Sequence, residues 1–199
     1  MSPYIETIRL QDGALMNLSY HQERFERTRS LQLGLSSHPS LAKFIQVPEG
    51  LEQGILKCRI LYGEEIERIE YEPHAKRQVS SLKLVHTDDI DYSFKYSNRS
   101  RLEDLFDKRG SCDDILIVKE GCISDSFYAN TVLWDGRDWF TPDTPLLPGT
   151  MRASLLDRGL IHLARITPRT LINYLKVGLI NAMNDLEEGP EIPMDKVIF

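Results

Sequence analysis

The chain has 199 residues, a net charge of −6 and 41% hydrophobic side chains, enough to bury a substantial core as one domain or two small ones. The acidic balance offers no footprint for nucleic acid or an anionic membrane, and no apolar run approaches a membrane span. Cys58, Cys112 and Cys122 are odd in number and lack a C-x-x-C pair, which argues against a disulfide framework or a zinc site and fits reduced thiols. The N-terminal residues lack a basic stretch followed by an apolar one, so a soluble, cytoplasmic protein is expected.

Residues 4–10 alternate in strand fashion, and Asp12-Gly13 is a turn signal before residues 14–18, so the opening predicts a hairpin. Residues 19–34 predict a helix with Ser19 as N-cap, Gln22 three residues on and Gly34 as C-cap. His21, Arg24 and Arg27 recur at i, i+3 and i+6 and share roughly one face. That face is either a solvated basic stripe or one that turns Arg27 towards an anion. Residues 40–46 predict a short helix ending before Pro48. Residues 55–62 and 65–71 form a second hairpin about Gly63-Glu64, and residues 81–85 another strand. The first half therefore reads as a sheet with helices on one side, an α+β arrangement, with a division into subdomains 1–90 and 91–199.

The next stretch, Tyr92-Ser93-Phe94-Lys95-Tyr96, sets a lysine among aromatic rings ahead of a helix predicted over residues 100–109 and closed by Gly110. Desolvation there disfavours the ammonium, and a neutral amine is what forms a Schiff base or takes a proton from carbon. Strands follow at 114–119, 122–126, 129–134 and 138–142, with turns at Glu120-Gly121 and Asp135-Gly136. Residues 148–156 read as a loop entering a helix, whose N-terminus is a ready anion site. Thr167-Pro168 predicts a further helix start, and residues 176–182 a last buried strand.

Lys95-x-x-Asn98-Arg99, Gly121-x-x-x-Asp125-x-x-x-x-Asn130, Trp134-Asp135-Gly136, Thr141-Pro142 and Gly149-Thr150-Met151-Arg152 occur in that order. Together with Ile5-Glu6-Thr7-Ile8-Arg9 and His21-x-x-Arg24-x-x-Arg27 they resemble the class IV, or fold-type IV, pyridoxal-phosphate enzymes. That group holds branched-chain and D-amino acid aminotransferases and 4-amino-4-deoxychorismate lyases. The resemblance implies an α+β, D-amino acid aminotransferase-like fold, with a small α/β N-terminal half and a β-barrel-like C-terminal half carrying the lysine. It also implies pyridoxal 5'-phosphate as cofactor, a small-molecule amine as substrate, no metal, and a homodimer. Lys95 is then the covalent cofactor lysine and the proton carrier. Asp125 stands where the family usually has a glutamate facing the pyridine nitrogen, and Asn130 is a further expected cofactor-binding residue. Arg27, the Thr150 and Met151 backbone and Asn181 are the expected phosphate side, and Arg9 and Arg99 are charge-based candidates for substrate carboxylates.

Phe94-Lys95-Tyr96-Ser97-Asn98-Arg99, Tyr128-Ala129-Asn130-Thr131 and Ile180-Asn181-Ala182-Met183 resemble the lyases more than the transaminases. A lyase giving 4-aminobenzoate and pyruvate is the favoured expectation. A class IV aminotransferase of branched-chain or D-amino acids, or a catalytically degenerate cofactor-binding protein, are the alternatives. The chain opens close to the family's first strand, so a partner subunit is expected to complete the site.

Overall fold

A computed structural model describes residues 3–47, 49–50 and 53–199. By their contacts these residues form two compact units. The first holds the described residues up to Ala75 together with Phe94–Asn98, and the second holds Lys76–Ser93 and Arg99–Phe199.

The first unit begins with β1 (Tyr4–Gln11) and β2 (Ala14–Leu15), joined where Asp12 and Gly13 both take positive φ, at 47° and 81°. A two-residue turn with both central residues left-handed matches the twist of the strands it joins. Helix α1 (Leu18–Leu33) follows, then a single 3-10 turn at Leu41–Lys43, β3 (Ile55–Tyr62) and β4 (Ile66–Pro73). The sheet order is β2-β1-β3-β4, antiparallel throughout, with Glu6 opposite Ile60 and Arg9 opposite Lys57. Ser19 is not the cap of α1. Asn17 holds that place in a left-handed conformation at φ 52°, with no side-chain cap bond, and Ser19 lies inside the helix. The C-terminal end is as expected: Gly34 is left-handed, and the N–H groups of Gly34 and Leu35 close on the carbonyls of Ser30 and Arg29.

Ile8, Phe25, Leu41, Cys58, Ile60 and Tyr62 fill the core of this unit, with Phe94 and Tyr96 packed against them. Tyr4 lies between the rings of Tyr62 and Tyr96, 5.8 and 5.6 Å away between centroids. The Ile5 N–H donates to the Lys95 carbonyl at 3.0 Å, and the Ser97 N–H to the Pro3 carbonyl at 2.8 Å. Lys95 therefore sits with the first unit, although the sequence division at residue 90 assigned it to the second half.

The second unit contains β5 (Leu82–His86), α2 (Ser100–Phe106), β6 (Asp114–Lys119), β7 (Cys122–Ser126), β8 (Asn130–Trp134), β9 (Trp139–Pro142), α3 (Thr150–Asp157), β10 (His162–Ala164), β11 (Lys176–Ile180), β12 (Glu191–Pro193) and β13 (Val197–Ile198). One sheet runs β10-β9-β8-β11-β12 and another β13-β5-β6-β7. The β7–β8 connection links them, and Leu84, Leu116, Ile123, Leu133, Val177 and Leu179 belong to a shared core. β5 pairs in parallel with β6, so this strand is not part of the first-half sheet. No long helix forms at Thr167-Pro168. Thr167 and Thr170 bond each other, a 3-10 turn covers Leu171–Asn173, and the Leu175 N–H is already taken by the Trp134 carbonyl at 2.7 Å. The segment is too short to repay helix nucleation.

Gly178 in β11 lies where an added Cβ would fall 2.8 Å from a Val132 methyl and 3.2 Å from the Trp139 ring. Gly178→Ala is expected to destabilise the protein by about 1–3 kcal/mol through overpacking, read as a lowered urea midpoint.

Candidate active site

In the first unit the chemistry gathers on β1 and α1. Glu6 has no exposed surface, because the strand that carries it is buried along both faces. Its carboxylate accepts from Arg24 through Nε at 2.9 Å and Nη2 at 2.6 Å, and from His21 Nδ1 at 2.7 Å. His21 and Arg24 are one helical turn apart and both buried. Despite its burial, Glu6 is held down at about 2, because the Arg24 guanidinium and the two hydrogen-bond donors outweigh desolvation. Burial lowers His21, with the nearby charges of Arg24 and Lys95 adding to the effect. His21 is thus a neutral imidazole whose Nδ1–H is given to Glu6. Lys95, half-buried between Phe94 and Tyr96, belongs to the same cluster.

Arg27 does not share that face. Six residues at 100° each leave it about 120° round the helix from His21, and it is exposed. The buried arginines of the helix are Arg24 and Arg29, and Arg29 is engaged by the Gly63 and Glu64 carbonyls. Arg9 is buried on β1.

The second unit carries the other candidate group. Asp125 at the end of β7 is buried, with Oδ1 accepting from Asn130 Nδ2 at 2.8 Å and Oδ2 from the Leu147 N–H at 2.9 Å. Asn130 Nδ2 also donates to the Leu147 carbonyl at 2.8 Å. Burial pushes the Asp125 carboxyl up to about 6; the two neutral donors and the charge of Arg152 only partly offset it. A Cβ on Gly149 would fall 1.9 Å from Asn130 Oδ1, so glycine is required for this side chain to reach its partners.

Gly149 is the N-cap of α3, in extended conformation and without a side-chain cap, and Thr150 and Met151 are buried in the first turn. Arg152 Nε donates to Thr141 Oγ1 at 3.1 Å and Nη2 to the Pro142 carbonyl at 2.8 Å, anchoring the helix to β9. Asn181 Oδ1 accepts from the N–H groups of Met183 and Asn184 and so shapes its own loop. Arg99 Nη2 donates to the Phe127 carbonyl at 2.5 Å and stacks on that ring, a structural engagement rather than a group left open. Sequence reading singled out Lys95, Asp125 and Asn130 but gave Glu6, Arg24 and Asp114 no role.

The Amino-transferase class IV family model matches residues 66–186, more than half of the chain. The chain belongs to this family. An uncharacterized protein of Haemophilus influenzae is 38% identical over 188 residues, covering 94% of this class IV enzyme and 100% of the relative. The crystal structure of a proposed 4-amino-4-deoxychorismate lyase from Haemophilus somnus 129pt is 35% identical, with a TM-score of 0.88, covering 94% of this chain and 98% of that one. At 16% identity a hypothetical aminotransferase from Mycobacterium tuberculosis in its PLP-bound form shares the fold, with a TM-score of 0.76, covering 96% of this chain and 80% of that one. Among the described residues no helix is long and apolar enough to cross a membrane, and no cluster of metal-binding side chains occurs.

The residues present in this class IV enzyme fit the family's cofactor. Taken unit by unit, the first offers the Lys95 amine and the buried Arg24 guanidinium, two of whose donors Glu6 takes, and the second offers Asp125, an under-compensated carboxylate that gains from a positively charged partner.

The Glu6 cluster makes a pH prediction. Its folded value lies below the unfolded one, so its contribution, on the order of 3 kcal/mol, is present above the ordinary carboxylate range and is lost as pH falls towards 2. Glu6→Gln is expected to be less stable than the parent at pH 7, with the gap in urea midpoint narrowing as pH falls below about 4.5. A gap that stays constant would contradict the ionised pairing.

Proposed function

We propose that this class IV enzyme is a pyridoxal-phosphate-dependent 4-amino-4-deoxychorismate lyase, releasing 4-aminobenzoate and pyruvate. The observation that carries the reading is the half-buried Lys95, whose charge bears on His21 in the buried cluster with Glu6 and Arg24. Its support is the nearly end-to-end likeness, at 35% identity, to a proposed lyase of that kind. The same reading carries with it a cytoplasmic homodimer that makes a folate precursor.

Bound pyridoxal phosphate supplies a carbonyl that takes an amine and a ring that stores the electrons left when a proton departs from the adjacent carbon. The chain's own residues do the rest. Lys95 would hold the cofactor through Nζ, and the same amine, once free, would take the proton from substrate C4. The C3–O bond then breaks with its electron pair on the departing enolpyruvate oxygen, and the proton taken from C4 is returned to the enolpyruvate carbon, giving pyruvate. Atoms balance without water or an oxidant. Arg24 rather than Arg27 would be the phosphate cation, because it is buried and Arg27 is exposed, and the Thr150 and Met151 amides at the α3 N-terminus would be the main-chain donors. Asp125, raised to about 6, would hold the ring nitrogen and favour a shared proton there. Aromatisation of the product provides driving force, so a lyase demands less of this aspartate than a two-stage transamination does.

The decisive assay gives cofactor-loaded protein 4-amino-4-deoxychorismate and follows 4-aminobenzoate fluorescence, with Lys95→Ala as the blank. Product from the parent alone is the expected result. A loaded protein that makes no product but consumes amino acids and keto acids would be a transaminase instead. Arg24→Ala is expected to weaken retention of pyridoxal phosphate by about 1.5–3 kcal/mol, the range of a lost charged hydrogen bond, while Arg27→Ala leaves it unchanged. Equilibrium dialysis of the two variants separates them; equal losses would remove Arg24 from this role.

A further inference from the structure

Asp125 and Asn130 stand at the two ends of a tight turn. The Ser126 N–H donates to the Ala129 carbonyl at 2.9 Å, and Ser126 Oγ accepts the Ala129 N–H at 3.2 Å. Such a turn closes by itself, yet here both main-chain groups of its second residue are gripped from outside. Asp114, at the start of β6, accepts the Phe127 N–H on Oδ1 at 3.3 Å and the Ile115 N–H on the same oxygen at 2.7 Å. Arg99, the residue before α2, donates from Nη2 to the Phe127 carbonyl, with its guanidinium carbon 4.4 Å from the Phe127 ring centroid. Arg77 lies 3.8 Å from Asp114 Oδ2 and packs over the rings of Phe106, Phe127 and Tyr128 at 5.0, 6.0 and 4.9 Å.

Asp114 has no exposed surface, and Oδ2 makes no hydrogen bond. Burial raises this carboxyl above its usual range, against the pull of Arg77 and of the Ile115 and Phe127 N–H groups. Burying a carboxylate costs several kcal/mol unless it is well paired, and an apolar residue would fill the space at less expense. What the charge achieves here is a fixed backbone at Phe127, two residues past Asp125 and three before Asn130. The Asp125–Asn130 bond of 2.8 Å spans this turn, so its geometry follows that of the turn.

We propose that Asp114 and Arg99 are positioning residues that clamp the Phe127 backbone from both sides and thereby keep the Asp125–Asn130 pair set to receive a protonated ring nitrogen. This rests on the role given to Asp125 above. It also gives Arg99 a task other than holding a substrate carboxylate. Arg152 of α3 is the charged group that bears on Asp125 itself, and it is untouched by the variants that follow.

The test uses the apoprotein labelled with carboxyl-13C aspartate, together with pyridoxal phosphate binding followed by absorbance. Arg99→Met removes the donor but keeps a stem over the Phe127 ring, and Arg99→Lys restores a donor. Asp114→Ala removes the acceptor, and Asp114→Asn restores it. Arg99→Met and Asp114→Ala are expected to weaken cofactor binding roughly tenfold or more and to move the Asp125 titration midpoint upward from about 6, with recovery in the conservative variants. If Asp114→Ala does not fold, the Arg99 pair decides the matter. A lowered melting temperature with cofactor affinity and Asp125 midpoint unchanged, while Asp125→Ala still weakens binding, would overturn the clamp and leave the role of Asp125 standing. Unchanged affinity in Asp125→Ala would overturn that role, and the clamp with it.

Discussion

A carboxylate without solvent needs its counter-charges delivered by the rest of the fold, and Glu6 is such a group. β1 carries it, and α1 answers with Arg24 and His21, one turn apart and facing inward. The register of β1 against β3 and the angle of α1 on the sheet are both tied to that meeting, since breaking one member leaves an uncompensated buried charge. The adjacent residue on the same strand, Ile5, binds the Lys95 carbonyl. The lysine segment is therefore fixed to the strand that orders the cluster, and the reactive amine inherits its rigidity from Glu6.

Two buried carboxylates, Glu6 of the first unit and Asp125 of the second, are tuned in opposite directions by one set of forces. Desolvation acts on both. Glu6 meets a guanidinium at two points and falls to about 2, whereas Asp125 meets an amide, a backbone N–H and a more distant arginine and rises to about 6. The first is a settled ion pair that stabilises the fold. The second is left short of positive charge, the condition under which a protonated ring nitrogen is a welcome partner. The aspartate in place of the family's usual glutamate is held by Asn130 and Leu147, so its shorter reach comes with a defined direction.

What was legible in the sequence was local. Asp12-Gly13, Gly34 and Glu120-Gly121 announced left-handed turns that the backbone adopts, because positive φ is set by the residues themselves. The strands from 114 to 142 were legible through the turn signals at Glu120-Gly121 and Asp135-Gly136 that bound them, and the ordered motifs pointed to the family. The face of Arg27 was misjudged because a spacing of six drifts a third of a turn. The cap at Asn17 was missed because no side chain closes it. The burial of Glu6 and Asp114 was not readable at all: the partners of Glu6 come from α1, and Asp114 meets Arg77 and the Phe127 N–H only once the chain has folded. Segment membership behaved likewise, since β5 looked like its hairpin predecessors and differs from them only in its parallel neighbour.

The parallel pairing of β13 with β5 has a consequence for biosynthesis. Val197 meets Leu82, and Lys83 Nζ reaches the Phe199 carbonyl across 116 residues of chain. On a ribosome, β5 emerges with one side of its ladder open and waits for more than a hundred further residues before that side is covered. Loop closure over such a separation is slow, and an uncovered strand edge is an invitation to pair with another chain. The antiparallel hairpins of the first unit close within a few tens of residues of synthesis, so the nascent protein passes through a stage in which one unit has most of its sheet and the other an exposed edge. Holdase chaperones that bind extended apolar segments would find Leu82–His86 during that interval.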